Sequence, residues 1–263
     1  MPLKLFVRDR HQNVKLFEQG NEIFAVYPGS YRKGDQIVLL VDKPGWYTMR
    51  FEDTMAPAIV YIREKAVFAT PFGIKARISY NPRAFSGKMH YLEAAPAAAE
   101  QVKAARNLAL NPYDQSGGTG MYPHAKASAV TRDEALFAAR NAIDGIRASR
   151  GHYPWPYQSW GIDKNPNAAL TIDFGTEVIA EEIVLTLRAD YPHDSHWVSA
   201  DAVFSDGSRE TFSLEKTEKP QHFPIAPRKT SEITLAHLVK ADDDSPFPAL
   251  TQIEVWGHTG GSE

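Results

Sequence analysis

Two short stretches of the chain carry side chains of the kinds that recognise polar ligands. Gly151 to Trp160 reads GHYPWPYQSW and supplies His152, Trp155, Tyr157 and Trp160. Arg188 to Trp197 reads RADYPHDSHW and supplies Arg188, Asp190, His193 and His196. Exposed aromatic planes stack on weakly apolar C–H faces, while guanidinium, carboxylate and imidazole groups donate to and accept from a rim of hydroxyls. Such a set suits a saccharide. Pro154 and Pro156 flank Trp155 and hold the loop in shape at low entropic cost, which favours Trp155 and Tyr157 as planes open to a ligand. Trp160 adjoins a strand and reads equally as a plug for the end of a sheet.

Other chemistries find less support. His193, Asp194 and His196 are residue types that bind zinc, but zinc sites usually draw on more than one short loop and no HExxH signature is present; a solvated loop accounts for them as well. Glu181 and Glu182 are adjacent, so on a strand they point to opposite faces and cannot flank one bond. Gly117-Gly118-Thr119-Gly120 lacks a following Lys-Ser/Thr and reads as a mobile loop rather than a phosphate cradle. Asp242-Asp243-Asp244 reads as a solvated turn. No nucleophile with a base appears as a motif. Three functions remain: non-catalytic saccharide binding, a glycan-active hydrolase with carboxylates between two domains, and a protein- or lipid-binding module using Trp155 and Phe247.

These loops need rigid elements to hold them. Leu170, Ile172 and Phe174 alternate with Thr171 and Asp173, the period-two pattern of a sheet with one face on a core. Strand signals resume at Ile183 to Leu187, Ala202 to Phe204, Thr211 to Leu214 and Ile233 to Leu238, and Asp206-Gly207 is a strong hairpin signal. Upstream, Thr131 and Glu134 match a capping box that opens a helix through Ala135 to Arg140.

Length and composition agree with an all-β protein of two domains. The chain has 263 residues, 43% hydrophobic and 11% aromatic, with 18 Pro and 17 Gly punctuating short segments. With 29 basic against 32 acidic residues, there is no long-range field to gather nucleic acid or anionic lipid. Without cysteine, disulfides and thiolate metal sites are excluded. No segment approaches the roughly 20 apolar residues of a membrane-spanning helix. No apolar leader precedes Lys4, so the chain as written reads as unexported unless a signal has been trimmed.

The first part, residues 1–95, reads as a β-sandwich of short strands: Ile37 to Val41, Trp46 to Phe51, Ile59 to Ile62, Val67 to Ala69 and Lys75 to Tyr80. Lys43-Pro44-Gly45 suits a type II turn in a hairpin or close connection. Residues 96–106 form a linker: the alanines from Ala94 to Arg106 favour a helix, with Pro96 at its start. Residues 107–263 form the second domain.

In that second domain an Asn-Ala-x-Asp-Gly turn at Asn141 to Gly145, a loop closing on Trp160, the strand Leu170-Thr171-Ile172-Asp173-Phe174-Gly175 and the closing strand Leu250 to Gly257 stand in order. This set resembles the discoidin family, the coagulation factor 5/8 type C domains and related carbohydrate-binding modules, over roughly Asn107 to Gly257. The resemblance implies a galactose-binding-like jelly-roll that binds carbohydrate through loops at one end. Sugar-binding members tend to use an Arg and a His there; Arg188 matches the strand-exit Arg. Many members carry a structural calcium, for which Asp144 and Glu254 are in place, while Ile146, Gln158 and Gln252 depart from the usual oxygen donors. No cofactor is required by this reading; calcium is the one that the resemblance implies in part.

Overall fold

The computed structural model describes residues 2–152, 155–190 and 195–260. The chain is all-β. Strands β1 (Leu3–Arg8), β2 (Val14–Gly20), β3 (Ile23–Tyr27), β4 (Gln36–Leu40), β5 (Gly45–Arg50), β6 (Ala58–Ile62), β7 (Lys65–Ala69) and β8 (His90–Pro96) build the N-terminal unit. One sheet runs β2-β1-β4-β7, and β6-β5-β8-β3 belong to the other. Alternate residues face inward: β1 buries Leu3, Leu5 and Val7, β6 buries Ala58, Val60 and Ile62, as a half-buried strand must. The Lys43-Pro44-Gly45 segment carries the chain from β4 in one sheet to β5 in the other, so it is a crossing between sheets and not a hairpin.

Two elements differ from the sequence expectation. Residues 75–80 are not a strand: a one-turn helix, α1 (Ile74–Arg77), is followed by a compact loop, held by Arg77 Nη2 donating to the carbonyls of Pro82 (3.0 Å) and Ala84 (2.7 Å). The alanine run is helical only over α2 (Ala99–Lys103). Ala94, Ala95 and Pro96 continue β8 and pair with Met49, Thr48 and Tyr47, and Ala94 is fully buried. Sheet pairing and burial override the helix propensity of alanine, which is a weak local preference.

The C-terminal unit is one continuous sheet built from β9 (Arg106–Asn107), β11 (His124–Ala127), β12 (Trp160–Gly161), β13 (Leu170–Leu187), β14 (Trp197–Phe204), β15 (Arg209–Ser213), β16 (Gln221–Lys240) and β17 (Ala249–His258). Register shifts in β13 near Asp173/Val178 and Ala180/Glu182 bend it, as bulges do. Both halves of β13, from Leu170 to Phe174 and from Ile183 to Leu187, therefore face a single core with Trp160, Trp197, Ile233 and Ile253. The Asp206-Gly207 hairpin joins β14 to β15, with Gly207 at φ 81°, a conformation glycine adopts without strain.

Between the units, the segment 111–122 is anchored at several points. Asn111 and Asp114 are fully buried. Tyr113 inserts into the N-terminal core against Phe51 and Phe68, its hydroxyl donating to Ala56 O at 3.0 Å. The short strand β10 (Met121–Tyr122) extends the second N-terminal sheet by pairing with β6. Gly120 passes so close to Lys65 that a Cβ would lie 2.2 Å from its carbonyl oxygen. The expected helix after Thr131 is also absent. Three 3₁₀ turns (Thr131–Asp133, Ala135–Phe137, Ala139–Ile143) replace it. Both members of the would-be capping box are engaged elsewhere: Thr131 Oγ1 accepts from Asp163 N at 2.9 Å, and Glu134 pairs with Arg132.

The N-terminal sheets therefore depend on residues from beyond the linker. A fragment of residues 1–104 lacks Tyr113, Met121 and β10 and should show no cooperative unfolding, whereas residues 1–123 should; loss of a buried aromatic alone typically costs about 3–5 kcal/mol. Denaturant melts of the two fragments check this, and equal stability of both would contradict it.

Candidate functional site

The loop from Ser149 to Tyr157 is organised by one side chain. Arg188, at the exit of β13, is fully buried and lies over the Tyr157 ring, 3.9 Å from its centroid. Its Nη1 donates to Tyr157 O, its Nη2 to Gly151 O at 2.8 Å, and its Nε to Asp190 Oδ1 at 3.0 Å. Asp190 in turn accepts from Ser149 Oγ at 2.9 Å, and Arg150 N donates to Pro156 O at 2.9 Å. A buried guanidinium is tolerated only when charge and donors are matched; here one carboxylate, two carbonyls and an aromatic face match it.

Tyr157 is buried against Phe137, and its hydroxyl is hydrogen-bonded to His152 Nδ1 at 3.0 Å. Burial raises the Tyr157 phenol above its usual range, against the opposing pull of Arg188. The hydroxyl therefore stays protonated near neutral pH. Beside it lies a cavity of about 200 Å³, lined by His152, Tyr157, Arg132, Ser159 and, across the mouth, Phe247. His152, Arg132 and Phe247 are exposed. Ser159 is fully buried, and its hydroxyl has no hydrogen-bond partner among the described residues.

The sequence-selected residues thus divide. His152 and Tyr157 share this cavity. Arg188 and Asp190 do not line it: they clamp the loop, and the guanidinium has no surface left to offer. Trp160 is likewise no ligand contact; it is fully buried in the core near Trp197, its Nε1 donating to Ala129 O at 3.0 Å. Trp155 is half-buried and faces a different cavity, between the two units. His196 immediately precedes β14 and lines neither cavity. His193 and Asp194 lie outside the described residues. Sequence reading did not select Ser159 or Arg132, which carry no motif.

The residues implied for calcium do not fit a cation as arranged. Gln252 Nε2 donates to Asn141 O (2.6 Å), Asp144 Oδ1 (2.8 Å) and Thr251 O (2.8 Å), so an amide nitrogen fills the point where three oxygens converge. Gln252 Oε1 accepts from Gly145 N at 3.0 Å, which fixes the orientation of the amide. Asp144 Oδ2 accepts from Gln158 Nε2 at 3.1 Å. Glu254 stands apart from this cluster: Arg147 and Trp256 Nε1 engage both its oxygens. No group of three or more His, Cys, Asp or Glu side chains able to hold a metal occurs among the described residues. Burial pushes the Asp144 carboxyl up to about 6, against the lowering effects of Arg140, Ile146 N, Gln158 and Gln252.

No family model matches the chain, and no curated protein does. Solved structures similar to it include chitosan-binding module 1 of a chitosanase/glucanase from Paenibacillus sp. IK-5, at 18% identity over 58% of this chain and 99% of that one, with a TM-score of 0.41. The family 32 carbohydrate-binding module of C. perfringens NanJ, in complex with galactose, matches at 16% identity over 50% of this chain and 91% of that one, TM-score 0.38. The lectin domain of Lectinolysin, complexed with Lewis B antigen, matches at 17% identity over 59% and 98%, TM-score 0.44. Among the described residues no helix is long and apolar enough to cross a membrane.

Two outcomes follow from the amide-centred cluster. EDTA should change the melting temperature of the wild type by less than about 1 °C, whereas Gln252→Glu, which places a fourth oxygen among three, should gain several degrees on adding calcium; a wild-type drop of several degrees with EDTA would contradict it. Asp144 carries a folded pKa of about 6, above its ordinary 3.8, so its contribution favours folding at low pH and is lost as pH rises through 6. The stability of Asp144→Asn relative to wild type should therefore climb between about pH 4 and pH 7, by up to about 3 kcal/mol. A difference flat with pH would show that the carboxyl titrates normally.

Proposed function

We propose that the protein binds saccharides without catalysis, at the loop end of the C-terminal unit. The observation that carries this reading is the small cavity lined by exposed Phe247 and His152 and by Ser159, whose hydroxyl has no hydrogen-bond partner among the described residues. An aromatic face, an imidazole, the Arg132 guanidinium and a hydroxyl are the parts that a pyranose needs: one plane for its C–H face and several groups for its hydroxyls. Arg188 serves as the positioning residue that fixes His152 and Tyr157. The resemblance to discoidin-type modules and the kinds of solved structure similar to the chain agree with this reading.

The hydrolase alternative has a cavity between the units, and Asp144 and Glu254 both line it. Their oxygens are occupied by amide, indole and guanidinium donors, however, so neither is placed to protonate a leaving group or attack a sugar carbon.

On a glycan array the full chain should bind a defined subset of glycans. Against the strongest of these, His152→Ala and Phe247→Ala should each weaken affinity by roughly 5- to 100-fold at unchanged melting temperature, the worth of a lost hydrogen bond or stack. An array without signal, or wild-type affinity in both variants, would overturn the proposal.

A further inference from the structure

A cavity of about 520 Å³ lies between the two units and is within the size range of small-ligand sites. Trp155 and Trp256, both half-buried, line it from the C-terminal side and Tyr80 from the N-terminal side. Its charge is unbalanced. Three guanidinia, of Arg106, Arg140 and Arg147, meet two carboxylates, of Asp144 and Glu254. Arg147 pairs with Glu254 at 2.6 Å, and among the described residues Arg140 donates to neutral acceptors: Asp114 O, Pro112 O and Asn141 Oδ1.

Arg106 is the least satisfied of the three. Its guanidinium lies over the Trp46 ring, 4.7 Å from the centroid, and Nη1 donates to Val102 O at 2.5 Å. Its Nη2 is buried and has no acceptor among the described residues. Desolvation of this half-buried guanidinium lowers the Arg106 pKa to about 10, the direction in which burial moves a cation. Arg106 and Asn107 form β9, which pairs with Gly257 and Trp256 of β17, so the free guanidinium edge and an aromatic wall are neighbours on one sheet. An oxyanion from outside the chain would complete the donor set, and guanidinium recognises carboxylate best.

We propose that this cleft is a second binding site, for a carboxylate-bearing saccharide whose acid group pairs with Arg106 and whose ring packs on Trp155 and Trp256. It is independent of the loop-end cavity: Trp155 and His152 sit on one loop but line different cavities. A ligand here would touch both units and bind only when they are docked.

The test titrates the full chain with digalacturonate and with the uncharged digalactose, read by tryptophan fluorescence and indole N–H shifts. The acid should bind saturably, at least about ten-fold more tightly than its neutral counterpart, and more weakly as salt is raised. Arg106→Gln should lose roughly ten-fold or more of this affinity. Should Arg106→Gln destabilise the chain, Trp155→Ala carries the same test, since that side chain is half-exposed at the cleft. Absence of saturable binding, equal binding of acid and neutral sugar, or wild-type affinity in folded Arg106→Gln or Trp155→Ala would overturn the proposal.

Discussion

Everything distinctive about the loop end depends on one buried charge. A guanidinium removed from water must find acceptors in all the directions its N–H groups point, and Arg188 finds them in Asp190, Tyr157 O and Gly151 O. Two of those acceptors, Tyr157 O and Gly151 O, come from the loop itself, so satisfying the cation and shaping the loop are the same event. Tyr157 is pinned under the guanidinium, His152 is hydrogen-bonded to Tyr157, and the cavity beside them inherits its shape.

The same economy governs how the two units meet. The segment after the linker reaches back to complete the N-terminal core with Tyr113 and its second sheet with Met121 and Tyr122. The segment is held from the other side too: Asp114 accepts from Ala125 N and lies 2.7 Å from His124 Nδ1, and Arg140 donates to its backbone carbonyl. A cleft whose walls are fixed by such shared residues can keep its geometry without a bound ligand. The amide of Gln252 plays a comparable part at the Asn141 to Gly145 turn, supplying with one N–H2 group the electropositive centre that a cation provides elsewhere.

Much of this was legible in the sequence where local pattern and tertiary context agree. The alternation of Leu170, Ile172 and Phe174 gave its strand, and Asp206-Gly207 its hairpin, because both signals are local. The Ala94 to Arg106 run misled because alanine's helix preference is weaker than the pairing and burial available to Ala94. Thr131 and Glu134 had the spacing of a capping box, but a backbone amide and an arginine compete for the same oxygens. For the site, residue types singled out His152 and Tyr157, which line one cavity, but did not tell which of the selected side chains face solvent. Arg188 and Trp160 are conspicuous in sequence for the same reason that they are buried, since large groups with many contacts hold loops as well as they hold ligands. Ser159 and Arg106 stand out through a buried polar atom that has no hydrogen-bond partner among the described residues, and no sequence pattern announces that.

The most direct test of the central claim is hydrogen exchange on Arg188→Met, which keeps much of the side-chain volume and removes the charge and donors. If the guanidinium organises the loop, the Arg150 amide, which donates to Pro156 O, should exchange rapidly in the variant while the amides of β13 and β17 keep their protection. A loop as protected in Arg188→Met as in the wild type would mean that packing alone shapes it, and that the buried charge is incidental.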